Sequence, residues 1–316
     1  MFLEKDIYFF SRDSKRFLFV LISLIIAVFT IYWNSLDASF QFDGTAHITE
    51  NSAIHLNEFT VDNIVKVLNY SPSRALVMFS FALNYYFGGL NVFWFHLVNI
   101  IIHIMTASFL FLFIYRTLHL PLIKDRYAEH AYAISLIATF LWALNPVQTQ
   151  AVTYIVQRLA SMAAMFYVIS MYMYIKGRIS SVKSRKIVYF ALCALSWLLS
   201  IFCKENAVML PVSIYIYDLF LIQGISKKHL IANLRPILFI TVIVIILSIA
   251  VIIIRGSLFS LLEGYDDRFF TLKQRLLTEP RIIWFYISLL LYPLPGRLNI
   301  AHDISVSDSL FTPIST

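Results

Sequence analysis

An all-α polytopic membrane protein is the fold class this sequence predicts, on three observations. Of its 316 residues, 59% are aliphatic, aromatic, Met or Cys and only 14% are charged, against about a quarter charged in an average soluble domain. The apolar residues gather into runs long enough to cross a bilayer as helices. Lys and Arg gather in alternate loops between those runs. The same composition excludes a disordered chain, which needs low hydrophobicity. A disulfide scaffold is excluded too, because Cys193 and Cys203 are the only cysteines and both lie in or beside apolar runs.

Seven runs read as spanning helices, at 17–33, 92–115, 131–146, 151–175, 187–203, 207–222 and 234–254. The first is too long for a typical signal-peptide core and no small-x-small cleavage site follows Trp33, so it reads as a retained anchor. The cation clusters are Lys5, Arg12, Lys15 and Arg16; Arg116, Lys124 and Arg126; Lys176, Arg178, Lys183, Arg185 and Lys186; and Lys227, Lys228 and Arg235. They occupy every second loop and set the N-terminus in the cytoplasm. They also absorb most of the net charge of +7, which in a soluble chain would suggest nucleic acid. Between Asn34 and Ser73 the single cation Lys66 faces Asp37, Asp43, Glu50, Glu58 and Asp62, so this acidic loop points outward.

Residues 75–90 are apolar enough to span, but a span there would invert every later cluster. They are therefore expected to form an interfacial helix inside a long outer loop, 34–91. Residues 282–294 are equally short and are expected to be re-entrant or interfacial, giving seven to eight spans. The whole chain, 1–316, is expected to be a single transmembrane domain with a second outer loop at 255–280. Its end at Thr316, soon after the last short helix, is compatible with an incomplete C-terminus.

Polar residues on the outer side carry the functional information, since an ionisable group at mid-bilayer costs about 2.5 to 3.5 kcal/mol on insertion scales. Asp43, Glu50 and Asn51 lie in the first loop and Arg74 closes it. Asn145, Gln148 and Gln150 form the third-to-fourth turn, Gln157 and Arg158 follow, and Lys204 and Glu205 join the fifth and sixth spans. His96, Asn99 and His103, spaced i, i+3, i+7, form one helical stripe. It suits hydrogen bonding between helices, with His96, nearest the outer end, the candidate for substrate contact instead. Arg158 fits either helix packing or anion binding. Asp218, on the cytoplasmic side, fits a paired structural carboxylate. Asp266 and Asp267 rival Asp43, although Arg268 beside them suits a solvated turn. There is no P-loop, GxGxxG, HExxH, CxxC or GxSxG motif. His47 and His55 flank Glu50 at i, i+8 without a third ligand, so no metal site is expected.

Five blocks, Phe40 to Asn51 (FQFDGTAHITEN), Ser73 to His103, Leu144 to Arg158 (LNPVQTQAVTYIVQR), Cys203 to Pro211 (CKENAVMLP) and Leu276 to Asp303, together resemble the membrane half of the transmembrane and tetratricopeptide-repeat O-mannosyltransferases. These are a branch of the GT-C glycosyltransferases. The resemblance implies a GT-C-like bundle that moves a sugar, a hexose such as mannose, from a polyprenyl-phosphate carrier to an acceptor hydroxyl, often on protein. Transfer would occur at the outer face by inverting displacement. It places Asp43 at the catalytic-acid position, here as general base, with Arg158 and Lys204 as phosphate partners and Arg74 as a third. Glu205, His96, Gln150 and Glu50 complete the expected substrate-binding set. No metal or other cofactor is required by this chemistry, and the partners would be the lipid carrier and an acceptor protein or glycan, with no nucleic acid.

The chain departs from the family where paired acids usually stand, reading Asp43-Gly44, and where the family tends toward HPxHTE, reading Asn145 to Gln150 as NPVQTQ. The family's repeats are not among these residues. These departures motivate an alternative, a degenerate member that binds a lipid carrier or scaffolds a partner. A transporter ranks last, without matched broken spans in two halves. The lack of secretory processing signals and of a soluble domain favours a bacterial plasma membrane over the endoplasmic reticulum.

Overall fold

A computed structural model describes residues 2–229, 231–233 and 268–313, with side chains from Ser14 onward. The chain divides into two compact units, Met1–Ile222 and Gln223–Thr316. The first unit is a helical bundle. In chain order it holds α1 (Phe2–Tyr32), α2 (Val61–Tyr70), α3 (Ala75–Gly88), α4 (Val92–Thr117), α5 (Lys124–Tyr127), α6 (Ala131–Ala143), α7 (Thr149–Thr153), α8 (Arg158–Ile179), α9 (Lys183–Ile201) and α10 (Leu210–Tyr217). The second unit contains α11 (Leu272–Leu291).

Five segments are long and apolar enough to cross a membrane: Ser14–Ser35, Val92–Thr117, Ile155–Ile179, Lys183–Ile201 and Glu205–Gln223. A sixth arises if Lys124–Ala143 and Pro146–Thr153, bent by 50° at their break, form one broken span. The seven to eight spans expected from the sequence are therefore five or six among the described residues; the run 234–254 lies outside them. The third run is corrected in kind. α6 has 13 residues, about 20 Å of helix, too short for a bilayer core of about 30 Å. It ends at Ala143 with Leu144 as its C-cap, and Asn145 caps the next turn by accepting from the Val147 N–H at 2.9 Å, with Pro146 at its start. A further break follows at Tyr154, after which the 3-10 turn Ile155–Gln157 runs directly into α8.

The segment 34–91 holds several helical elements. A π-helical turn covers Thr45–Thr49. Thr60 caps α2 through the Asn63 N–H. α3 stops at Gly88, and Gly89 turns the chain at φ +59°, a left-handed conformation that glycine adopts freely. Asn91 then caps α4 through the Phe93 N–H. α3 has 14 residues and is too short to span.

Three apolar clusters hold this unit together. One joins the first loop (Ile48, Ile54, Leu56) to α3 (Met78, Phe81), α4 (Phe95), the 154–156 segment and Cys203. The second packs α1 against α4 and α6 through Leu24, Val28, Ile104 and Phe111. The third packs Leu120, α8 and α10. α8 also runs closely along α9 and α4. Gly177 makes that approach possible, because a Cβ there would meet the Phe190 ring at 2.9 Å.

The segment expected as a second outer loop, 255–280, is described only in part. Residues 255–267 lie outside the described residues, but from Leu272 the chain is helical, and the apolar run 282–294 is mostly the second half of α11. Lys273, Arg275, Glu279 and Arg281 in the first half keep α11 out of the set of candidate spans. A capping box between Thr271 and Gln274 starts it.

Candidate functional site

Asp43 lies on an exposed turn whose backbone is strained. Phe42 before it sits at φ +44°, in the left-handed region that costs a bulky residue roughly 1 to 2 kcal/mol. Hydrogen bonds from Gly44 N–H to Gln41 O (2.8 Å) and from Thr45 N–H to Phe42 O (3.1 Å) close the turn. Tyr154, 111 positions away, holds it from below. Its hydroxyl accepts from the Asp43 N–H at 3.1 Å, and its ring meets Phe42 edge to face at 6.4 Å. Gly44 is buried beneath the acid; a Cβ there would lie 3.4 Å from Phe40 and 3.8 Å from Val156. No spacing or charge pattern singles out Tyr154, which stands among Val152, Thr153, Ile155 and Val156.

Arg74 and Glu205, 131 positions apart, form an ion pair at 3.3 Å. A backbone bond from Leu76 N–H to Phe202 O at 3.3 Å staples the start of α3 to the end of α9 beside them. Both side chains are solvent-accessible, so the pair contributes at most about 1 kcal/mol and a stronger anion can displace Glu205. Lys204 is half-buried next to it and makes no ion pair among the described residues. Asp43, Arg74 and Lys204–Glu205 thus flank one apolar cluster. Glu50 and Gln150 are exposed, and no hydrogen bond or ion pair among the described residues joins either to Asp43.

Two expected contacts are corrected by their surroundings. Arg158 is fully buried, at 0% exposure. Its Nε donates to Asn99 Oδ1 (2.7 Å), its Nη1 to Asn84 Oδ1 (2.6 Å) and to Ser80, and its Nη2 to the Phe95 carbonyl (2.8 Å). The guanidinium also lies 4.6 Å from the Phe81 ring centre. It is a polar knot tying α3, α4 and α8, not a group facing substrate. His96, buried at 1% exposure, donates from Nε2 to the Ala38 carbonyl at 2.9 Å and fastens the first loop to α4.

The rest of the stripe does the same. Asn99 donates to the Val152 and Ile155 carbonyls, satisfying backbone groups freed by the break at Tyr154. His103 bonds the Ala143 carbonyl at 2.9 Å and stacks on Trp142. Asp218 is paired with Arg178 at 2.6 Å and Tyr174 at 2.7 Å. Asp266 and Asp267 lie outside the described residues. His55 is occupied by the Ile48 carbonyl and the Tyr85 ring; among the described residues no three His, Cys, Asp or Glu side chains converge as a metal site.

No family model and no solved structure matches the chain. Curated proteins do. The human protein O-mannosyl-transferase TMTC3 is 27% identical over 215 residues, 64% of this chain and 22% of that protein. Drosophila Tmtc3 is 25% identical over 246 residues, 70% of this chain and 26% of that protein. Xenopus tmtc2 is 28% identical over 212 residues, 64% and 24% of the two chains. This chain is a distant homologue of the TMTC O-mannosyl-transferases. The alignments span about a quarter of the relatives' length. The matched relatives, from human, mouse, fly and frog, are eukaryotic, which overturns the preference for a bacterial plasma membrane; membrane integration itself stands on the five or six apolar spans.

Proposed function

We propose that this protein is a membrane glycosyltransferase that moves a sugar, mannose first among the candidates, from a polyprenyl-phosphate carrier to an acceptor hydroxyl at the outer face. Homology to enzymes named O-mannosyl-transferases supports the class. The observation that carries the site is Asp43 itself, an exposed carboxylate on a strained turn anchored by Tyr154.

The chemistry asks little else of the protein. The acceptor oxygen attacks the anomeric carbon, the bond from that carbon to the phosphate oxygen breaks, and polyprenyl phosphate leaves with the electron pair. Asp43 takes the hydroxyl proton, a contribution of typically 10² to 10⁴ in rate. Lys204, and Arg74 once released from Glu205, meet the departing phosphate with charge-assisted hydrogen bonds. Attack from the face opposite the phosphate inverts the anomeric centre. Arg158 has no part in this step because its guanidinium is buried among protein acceptors.

The test is transfer of labelled sugar from a panel of polyprenyl-phosphate donors to endogenous acceptors, in membranes carrying wild type, Asp43→Asn or no protein. Transfer in wild type alone, with inverted product, is expected. Product with retained configuration would remove Asp43 from the role of base. No transfer above empty membranes, with carrier lipid still bound, would favour the non-catalytic alternative that Gln148 and Gln150 motivate.

A further inference from the structure

The second unit carries two arginines that the proposed reaction does not use. On α11, Arg281, Trp284 and Ser288 fall at i, i+3, i+7 and share one stripe. With Pro280, Phe285, Arg297 and Ile304 they line an open cavity of about 510 Å³. Arg297 reaches it from the turn Pro295–Arg297.

Both guanidiniums are held in place before any ligand arrives. Arg281 donates from Nη1 to the Ser305 carbonyl at 2.9 Å and to Ser307 Oγ at 3.1 Å. Arg297 donates to the Tyr292 carbonyl at 3.1 Å and to Ser288 Oγ, and its guanidinium lies 5.3 Å from the Phe285 ring centre. Among the described residues neither meets a carboxylate. Arg281 Nη2 also donates to Ser305 Oγ at 3.4 Å; among the described residues the Nε–H of each arginine has no protein acceptor, and each Nη2 has a second hydrogen to offer. Two half-buried, uncompensated cations with spare donors suit an anion bound through oxygen forks, which phosphate supplies best.

The cavity wall indicates what carries that phosphate. The indole of Trp284, which lines the cavity, is 71% exposed, and outside the cavity Ile287 and Leu291, one and two turns further along the same side of α11, are also exposed. In an integral membrane protein such a face meets acyl chains, and indole rings gather at headgroup depth. We propose that Arg281, Arg297 and Trp284 form a binding site for the phosphate of a membrane lipid. The site belongs wholly to the second unit and does not depend on the sugar-transfer chemistry assigned to Asp43.

The experiment uses the full chain in phosphatidylcholine nanodiscs, with direct binding of a polyprenyl monophosphate, phosphatidic acid and inorganic phosphate. At least one lipid phosphate is expected to bind. Arg281→Gln and Arg297→Gln should each weaken it roughly tenfold or more, as loss of a charge-assisted hydrogen bond implies. Trp284→Ala, at an exposed position whose truncation does not threaten the fold, should weaken it several-fold. Lys273→Gln, the same charge change away from the cavity, should not. Preference for the polyprenyl phosphate would identify the occupant as a carrier, and equal binding of both lipids a general headgroup site; either supports the assignment. It is overturned if inorganic phosphate binds as tightly as the lipids, or if lipid binding is unchanged in Arg297→Gln and Trp284→Ala. Intact lipid binding in an inactive Asp43→Asn protein would separate this site from the catalytic proposal.

Discussion

At the scale of single residues, burial separates side chains that hold the bundle from those that can do chemistry. Arg158 has the charge an anion site needs, yet Asn84, Asn99, Ser80 and the Phe95 carbonyl consume its donors. Arg158→Met is expected to leave those acceptors unpaired at about 1 to 3 kcal/mol each and to lower the unfolding temperature in detergent markedly. Arg158→Lys keeps the charge but cannot fork from α8 to both α3 and α4, so it should also lose stability; a lysine variant as stable as wild type would contradict the structural role. Tyr154 acts on Asp43 by holding its turn. Tyr154→Phe removes the oxygen that accepts the Asp43 N–H and should cut transfer roughly tenfold with little change in unfolding temperature. Phe42 tests the strain: a β-branched valine fits the left-handed region worse than phenylalanine does, so Phe42→Val should destabilise by about 1 kcal/mol or more, while Phe42→Gly should not.

At the scale of elements, the apolar runs located most helices but could not show where they break. The run 131–146 looks continuous by hydropathy, and Asn145-Pro146 is compatible with either a helix end or a kink. Each break is settled by who receives the freed backbone groups: at the 50° bend His103 takes the Ala143 carbonyl, and at Tyr154 Asn99 takes the Val152 and Ile155 carbonyls. The stripe on α4 was legible from its spacing, and its partners were not, because they lie 40 to 59 positions away. Gly177 governs the α8–α9 approach. Gly177→Leu should wedge the pair apart by pushing into Phe190, at a cost of typically 1 to 3 kcal/mol, read as a lower unfolding temperature; Gly177→Ala should cost less, since one ring shift accommodates it.

At the scale of the whole molecule, topology follows from charge placed along the chain. The native thiols Cys193 and Cys203 are both buried, so single cysteines introduced elsewhere report their own side of the membrane. Glu50→Cys is expected to react with an impermeant maleimide from the outer side of intact cells or correctly oriented vesicles, and Ser184→Cys only after permeabilisation. The reverse pattern would invert the topology and remove Asp43 from the outer face. The sequence by itself determined that the chain is a helical membrane protein, because hydropathy and the distribution of Lys and Arg are properties of segments and need no knowledge of what packs against what. It also led to the expectation that Asp43, Arg74, Lys204 and Glu205 share one side of the bilayer, which the cysteine-labelling experiment tests. The tertiary structure alone decided which polar groups are spent. Arg158 is engaged by acceptors far along the chain and His96 is buried with its Nε2 on the Ala38 carbonyl, whereas Asp43 stays exposed on a turn fixed by Tyr154. That division depends on burial and on pairing between distant positions, and neither is a property of any local stretch of sequence.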